Sequence, residues 1–345
     1  MTKARDLSSG TIDVLTSTDI TTDGITTNTA GTSNFVAGVN AGNSIVSGGN
    51  YNTVVGDEAG TAITTADSNT AFGFEALKAN TTGASNTASG HDALYLNTTG
   101  SNNTASGYSA LFANTTGSNN TSVGHTALRN NTTGSNNAAV GKSAGQSITT
   151  GARNNCFGVE AAVNLTTGID NTFIGKGCSP NVTTGSGNIA IGDISIIGTR
   201  LFNLTSENDR IIMGHHNITN AYVKVAWTVT SDARDKADVV NFTHGLDYIT
   251  QLRPVNYVWD ERSSYADGIR DGSKKKDLLQ LGFLAQEIEA VETSLGITNN
   301  CVVDKEDVDN LKITETKLIP ILVKAIQELS TQNAALEARI TALEA

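Results

Sequence analysis

Residues 86–102 read NTASGHDALYLNTTGSN, and the same pattern recurs along the chain with a period of 17 residues. Its marker is an asparagine followed four residues later by a glycine. Nine such pairs stand in register between Asn52 and Gly192, and a tenth, Asn34 and Gly38, precedes them one residue out of step. A fixed period of this length indicates a repeat architecture in which each copy forms one structural unit.

Each copy contains the parts of one solenoid coil. A run such as Asn69–Gly73 alternates small and apolar side chains, as a half-buried strand does, and its glycine permits a turn. A Thr-Thr-Gly corner, for example residues 98–100, supplies a second turn. We therefore predict a mainly β shaft, a parallel β-solenoid or β-roll with stacked asparagines. At ~4.8 Å per coil it would form a rod about 45–50 Å long.

The coil contains few large apolar side chains. An Ala-Leu pair follows the turn in several copies, for example Ala93 and Leu94. At about 25 cal/mol per Å² its burial offsets little of the entropy lost on ordering the coil. We expect several chains to associate along the Leu/Phe edge. The pattern itself specifies only an oligomer, and we predict a homotrimer.

Composition and charge exclude several classes of function. The 345-residue chain has a net charge of −11. Because it has no Lys/Arg stripe to displace counterions from phosphate, we expect no nucleic-acid partner. Three distant cysteines, Cys156, Cys178 and Cys301, predict neither disulfides nor a metal site, and we expect no cofactor. Without a run of about 18 apolar residues, we expect no membrane insertion, and synthesis in the cytoplasm without export.

The changes in pattern divide the chain into four parts. Residues 1–33 form a Thr/Asp-rich leader, which we interpret as an attachment segment with a frayed terminus as the alternative, and residues 34–192 form the shaft. Residues 193–230 form a β cap or connector. Residues 231–345 read as an α/β to mostly α module that ends in a coiled coil at 318–345.

The cap is predicted from β-type alternation. Strands are expected within Arg210–Gly214 and Ala221–Trp227. They would cover the open end of the solenoid, whose edge would otherwise be unpaired.

Two rows of polar residues follow the turn glycines. One would stack carboxylates on adjacent coils, as a glycosidase requires, but later copies have Ser or Thr there. The other would present rings and a lysine to a receptor. We interpret both as solvated side chains on coil corners, without metal-ligand spacing. They comprise Glu58, Glu75 and Asp92 in the first row, and His91, Tyr108, His125 and Lys142 in the second.

The last stretch of the chain has the spacing of a coiled coil. Apolar residues recur at alternating intervals of three and four, which indicates an a/d seam. Isoleucine at a, leucine at d and a polar Asn333 at a favour two strands, whereas the shaft favours three, and we give more weight to the shaft. The seam comprises Ile319, Leu322, Ile326, Leu329, Asn333, Leu336, Ile340 and Leu343.

A serine and a lysine stand at the boundary between connector and module. Ser231 can supply a nucleophile and Lys236 a base to the same peptide bond, provided that the local fold brings them within hydrogen-bond reach. Spacing alone is equally consistent with a solvated turn between two domains.

Four motifs carry a resemblance to a known family. In order, the motifs lie at residues 231–236, 252–257, 282–287 and 318–329, and they read SDARDK, LRPVNY, GFLAQE and LIPILVKAIQEL. They are similar to the C-terminal intramolecular chaperone of endosialidase tailspikes, which phage neck appendages, L-shaped tail fibres and the myelin regulatory factor share. The repeats resemble the β-roll heads of trimeric autotransporter adhesins and the shafts of phage tail fibres.

The resemblance implies a sequence of events. Three chaperone modules associate, template trimerisation of the fibre, and are released by cleavage between Thr230 and Ser231. Ser231 would attack the carbonyl of Thr230 and a neutral Lys236, favoured by burial in the trimer, would accept the proton. His244 is a possible helper. Asp235, where the family often has an apolar residue, puts a carboxylate beside the lysine and would slow cleavage.

Four further residues are assigned supporting roles. Asp232 and Arg234 are expected to hold the loop, and Gln286 and Glu287 to support the trimer. The only enzymatic activity expected is this single-turnover autoproteolysis of the serine-lysine peptidase type, with no external substrate.

The combined prediction is a phage virion structural protein, a tail fibre or appendage. Expected partners are two further copies of the chain, other virion proteins bound through the N-terminus, and a host-surface glycan or protein receptor. The alternatives are a glycan-binding or glycan-degrading tailspike and a bacterial trimeric surface adhesin, which would need an export signal.

Overall fold

The computed structural model describes most of the shaft and most of the module. The described residues are 25–26, 30–192, 204–214, 231–260, 262, 265, 269–298, 301–305 and 311–345. The chain divides into two compact units, residues 1–221 and 222–345. Most of the predicted leader, the strand predicted at Ala221–Trp227, and Thr230 lie outside the described residues.

The first unit is a parallel β-solenoid, as predicted. Its sheet has 12 strands, each hydrogen-bonded to its neighbours in sequence. Strand β1, Ile25–Thr26, is antiparallel to β2, and all later strands are parallel and in register. The parallel strands are β2 Phe35–Ala37, β3 Thr53–Val55, β4 Thr70–Phe72, β5 Thr87–Ser89, β6 Thr104–Ser106, β7 Thr121–Val123, β8 Ala138–Val140, β9 Asn155–Phe157, β10 Thr172–Ile174, β11 Ile189–Ile191 and β12 Ile211–Met213.

The solenoid core is built from one small side chain per strand and a pair per turn. The central strand residue, such as Ala88 or Ala105, is fully buried, while its neighbours face outward with the period of two of a strand. After the turn glycine, Ala93 and Leu94 are also fully buried. The structure corrects the expectation that the leucines form an edge for association, because they lie inside their own coil.

Backbone conformation explains why the leucines point inward. Leu94 has a φ of 53°, and Gly145 adopts 56° at the same place in a later coil. A left-handed residue costs about 1–2 kcal/mol, whereas full burial of a leucine contributes about 1.5–3 kcal/mol. Burial therefore offsets the strain, and each coil obtains a core without a second chain.

Two ladders of asparagines run along the solenoid, where stacked asparagines were predicted. At the strand starts, Asn103 Nδ2 donates to Asn86 Oδ1 at 3.1 Å, and Asn103 Oδ1 accepts from the backbone N–H of Asn120 at 3.0 Å. In the Thr-Thr-Gly corners, Asn97 and Asn114 continue a second ladder, with an Nδ2 to Oδ1 distance of 2.7 Å. These bonds satisfy the polar groups of coils that have little apolar surface.

Glycine is required where the backbones of adjacent coils meet. Gly107 has a φ of 138°, and a Cβ atom on it would lie 2.6 Å from the carbonyl oxygen of Gly124. No side chain fits at that distance, so the turn glycine of the repeat is a condition for stacking.

The ladder continues beyond Gly192, where the sequence pattern ends. Ile189 of β11 pairs in parallel with Ile211 of β12, and Arg210 N donates to Asn188 Oδ1 at 3.0 Å across 22 residues. The strand predicted near residue 210 therefore forms a further rung of the same sheet.

The second unit is a small α/β module that ends in a long helix, which agrees with the predicted helical C-terminus. Within its described residues, two antiparallel pairs, β13 with β14 and β15 with β16, accompany three α-helices. The elements are α1 Leu246–Ile249, β13 Val255–Tyr257, β14 Gln280–Gly282, α2 Ala285–Ser294, β15 Val303–Asp304, β16 Lys312–Ile313 and α3 Leu318–Glu344. Their core consists of Tyr248, Ile288, Val291, Val302, Val303, Leu318 and Ile321.

Helix α3 packs its first turns against α1. Leu246 N donates to Glu328 Oε2 at 2.8 Å, which caps the start of α1 from 82 residues away. A Cβ atom on Gly245 would lie 2.8 Å from Ala325 N, so the glycine allows this close approach. The long helix is thereby fixed to the module through one face only.

Candidate functional site

The predicted nucleophile and base lie together at the start of the module. Residues Ala233–Asp235 form one 3₁₀ turn, and Asp232 caps it by accepting a hydrogen bond from Arg234 N at 2.9 Å. The turn reverses the chain, so that Lys236 Nζ donates to Ser231 Oγ at 2.6 Å. A separation of five residues places the two side chains on one side of the turn.

An ion pair fixes the same turn. Arg234 Nη2 lies 2.5 Å from Asp232 Oδ2, and this hydrogen bond lowers the pKa of the Asp232 carboxyl. The aspartate therefore stays ionised over a wider pH range and continues to cap the turn. This arrangement agrees with the supporting role proposed for both residues, which remains a prediction.

Both members of the Ser-Lys pair are exposed in the single chain. The lysine is the donor in their hydrogen bond, so the serine oxygen is the acceptor. A lysine can accept the serine proton only as the neutral amine, and desolvation is the change that favours this form. The two side chains lie within hydrogen-bond distance of each other, but both face solvent, so their catalytic role stays a prediction.

His244 has a local partner. Its Nδ1 lies 2.6 Å from Asp247 Oδ2, and its ring contacts Phe242 edge to face. The histidine lowers the pKa of Asp247 through this bond. The role of His244 as a catalytic helper stays a prediction, because the bond directs Nδ1 to α1 and not to Ser231.

Gln286 and Glu287 lie in the first turn of α2. Glu287 accepts two hydrogen bonds from the guanidinium of Arg253, one of them from Nε at 3.2 Å, and raises the pKa of that arginine. Gln286 is exposed. The pair Arg253–Glu287 joins the segment before β13 to α2, and so links the second sequence motif to the third.

The seam of α3 is exposed along its whole length. Leu322 is 43% exposed and Ile326 65%, whereas Leu318, Ile321 and Ala325, on the neighbouring face of the helix, are buried against the module. Two faces of one helix are therefore apolar, and the described residues cover only one of them. The exposed predicted positions are Ile319, Leu322, Ile326, Leu329, Asn333, Leu336, Ile340 and Leu343.

The module contains a buried carboxylate that was not predicted from the sequence. Glu292 is fully buried, and its Oε1 accepts from Val302 N at 2.7 Å and from the Tyr248 hydroxyl at 3.2 Å. Burial raises the pKa of the Tyr248 hydroxyl, and the nearby charge of Glu292 raises it further. The sequence does give one indication of this burial, because Glu292 follows Val291 on the apolar face of α2.

The polar rows of the shaft are engaged in local contacts. Lys78 Nζ lies 2.6 Å from Glu75 and 3.7 Å from Glu58, so one ammonium lies between two of the stacked carboxylates. His91 stacks on Tyr108 with ring centroids 5.2 Å apart. Within the described residues no three His, Cys, Asp or Glu side chains converge as a metal site would require. No helix of the described chain is long and apolar enough to span a membrane.

Comparison with known families locates the module. Residues 231–297 match the family model for the chaperone of endosialidase. The match begins at Ser231 and ends before β15. No curated protein and no solved structure matches the chain. A β-solenoid followed by this segment fits a tail fibre with a C-terminal chaperone domain.

Proposed function

From a β-solenoid joined to an endosialidase-type chaperone segment, we propose that the protein is a phage tail fibre or appendage that assembles as a homotrimer and then removes its own chaperone. Cleavage occurs between Thr230 and Ser231. The observation that carries this proposal is the 2.6 Å contact of Lys236 Nζ with Ser231 Oγ, directly beside the bond to be cut.

The chemistry needs only the chain's own atoms and water. Ser231 Oγ attacks the carbonyl carbon of Thr230, and Lys236 in its neutral form accepts the hydroxyl proton. The peptide C–N bond breaks, the nitrogen of Ser231 takes up the proton, and the upstream chain is held as an ester on Oγ. Water then hydrolyses the ester, which leaves a carboxyl group on Thr230 and restores the serine.

Assembly supplies the missing environment. The Ser-Lys pair is exposed in one chain, and the seam of α3 in the same module is exposed as well. Association of three modules through the seam would remove water from their surfaces and favour the neutral lysine. Cleavage then follows assembly and does not precede it.

Cleavage is tested on a denaturing gel. The parent chain should yield fragments of 230 and 115 residues, since 345 − 230 = 115. Ser231→Ala should leave the chain whole, and Ser273→Ala, at an exposed serine of the same module, should cleave like the parent. Lys236→Arg should also abolish cleavage, because arginine cannot act as a base. An intact parent trimer would refute the autoproteolysis.

Dependence on assembly needs a separate variant. Ile326→Asp places a charge in the seam without touching the buried face of α3, so it should yield an uncleaved monomer. Gln327→Asp, at the next exposed position outside the seam, should assemble and cleave. Monomeric Ile326→Asp that cleaves at the parent rate would show that assembly does not control the reaction.

A further inference from the structure

The outer face of the solenoid sheet has an uncharged strip. The first and third residues of every strand face outward, and neither row contains a charged residue in β2–β12. From β7 onward the third residue is always apolar, and it is 38–55% exposed. These residues, which we call the outer apolar row, are Val123, Val140, Phe157, Ile174, Ile191 and Met213.

The row is unbroken over the half of the shaft that precedes the module in sequence, and β2–β4 also have apolar third residues, Ala37, Val55 and Phe72. In β5 and β6 the same position holds Ser89 and Ser106, and the first position holds threonine. In β11 and β12 the first position also becomes isoleucine, at Ile189 and Ile211. An apolar surface thus widens along the shaft toward its C-terminal end, and a contiguous apolar patch on a folded surface marks an interaction site.

The absence of charge along the row favours another copy of the chain as its occupant. In a parallel assembly of identical solenoids, each residue meets its own copies at the same height. Rows beside the strip would then oppose like charges, for example Lys142 and Lys176 after the turn glycines. The outer apolar row has no such penalty, since valine would meet valine and isoleucine would meet isoleucine.

We propose that the outer apolar row is the interface between copies within the shaft, so that β7–β12 of each chain face a common axis. This inference rests on the proposed parallel assembly and adds the face through which the shafts associate. It also gives the shaft a means of staying together after the module has left, because the row lies entirely before residue 230.

Cysteine cross-linking tests the interface on the full chain. In a Cys301→Ser background, in which Cys156 and Cys178 are buried, Val140→Cys should form disulfide-linked dimers on mild oxidation. The matched control is Thr150→Cys, an exposed position in the same coil but away from the strand, which should stay unlinked. Light scattering on the same samples gives the number of subunits, and the gel reports cleavage.

Each result has a definite reading. Linked Val140→Cys with unlinked Thr150→Cys in an oligomer supports the inference. An oligomer in which position 140 stays unlinked, or in which both positions link equally, overturns it and leaves the proposed trimer standing. A monomer overturns both. As a second measure, Ile174→Asp should raise the dissociation constant of the cleaved shaft oligomer about tenfold or more.

Discussion

Replacing Asn103 by alanine tests the asparagine ladder at one rung. The variant removes two bonds donated by Nδ2, to Asn86 Oδ1 at 3.1 Å and to Gly117 O at 2.9 Å, and two accepted by Oδ1. Gly117 O keeps the bond from Asn114 Nδ2 at 2.9 Å, and Asn86 Oδ1 keeps the backbone N–H of residue 103 at 3.0 Å.

One group loses the acceptor that the structure gives it. The backbone N–H of Asn120 donates to Asn103 Oδ1, and alanine leaves this donor buried without that partner. A buried donor without an acceptor costs about 1–3 kcal/mol. The two acceptors that each keep one of their two hydrogen bonds add roughly 1 kcal/mol. We expect the free energy of unfolding to fall by about 2–4 kcal/mol.

The assay combines denaturant unfolding with hydrogen exchange, both on the full chain. The matched control is Thr104→Ala, because Thr104 is the next residue and faces solvent. Neighbouring coils stabilise one another, so hydrogen exchange by mass spectrometry should locate the loss in the peptide containing Asn120. A difference from Thr104→Ala below about 0.5 kcal/mol, with the peptide still protected, would refute the reasoning.

Three further predictions follow from contacts described above. Gly107→Ala should cost about 3 kcal/mol or more in unfolding free energy and open one coil to hydrogen exchange, because a Cβ atom would lie 2.6 Å from a carbonyl oxygen of the next coil. Glu292→Ala should lower the unfolding free energy of the chaperone module by about 3 kcal/mol, since it leaves Val302 N without its carboxylate acceptor; Glu292→Gln, which keeps that oxygen, should cost less in calorimetry. His244 lowers the pKa of Asp247, so the stability contributed by this carboxylate is present above its ordinary pKa and is lost as the pH falls through the lowered value. Asp247→Asn should therefore cost under about 1 kcal/mol at pH 7, and its melting temperature should converge with the parent's in acid.

Much of the shaft was predictable because its interactions repeat. The period of 17, the buried central residue of each strand and the stacked asparagines all follow from residues within one copy. The inward leucines were not predictable from pattern, because propensity disfavours a left-handed leucine and only the closed coil reveals that its burial offsets the strain. The added rung at β12 depends on a 22-residue interval that breaks the period.

The candidate site was predictable only where it is local. Ser231 and Lys236 are joined by one short turn, so their spacing sufficed. The contact of Leu246 with Glu328 spans 82 residues, and the bond of Tyr248 to Glu292 depends on how α1 packs against α2. Such contacts are set by tertiary packing, for which the sequence of this module contains no repeat to serve as a guide.

The stacked turn glycines also bear on how the length of the fibre can change. The interior coils share the turn glycine and the asparagine at the strand start, so loss of residues 104–120 would join Asn103 to Thr121 with each partner replaced by an equivalent one. Recombination between similar stretches of the gene can therefore shorten or lengthen the shaft by whole coils, about 4.8 Å at a time. A change of any other length would shift the glycines out of register. The length of the shaft can therefore change only in steps of one coil.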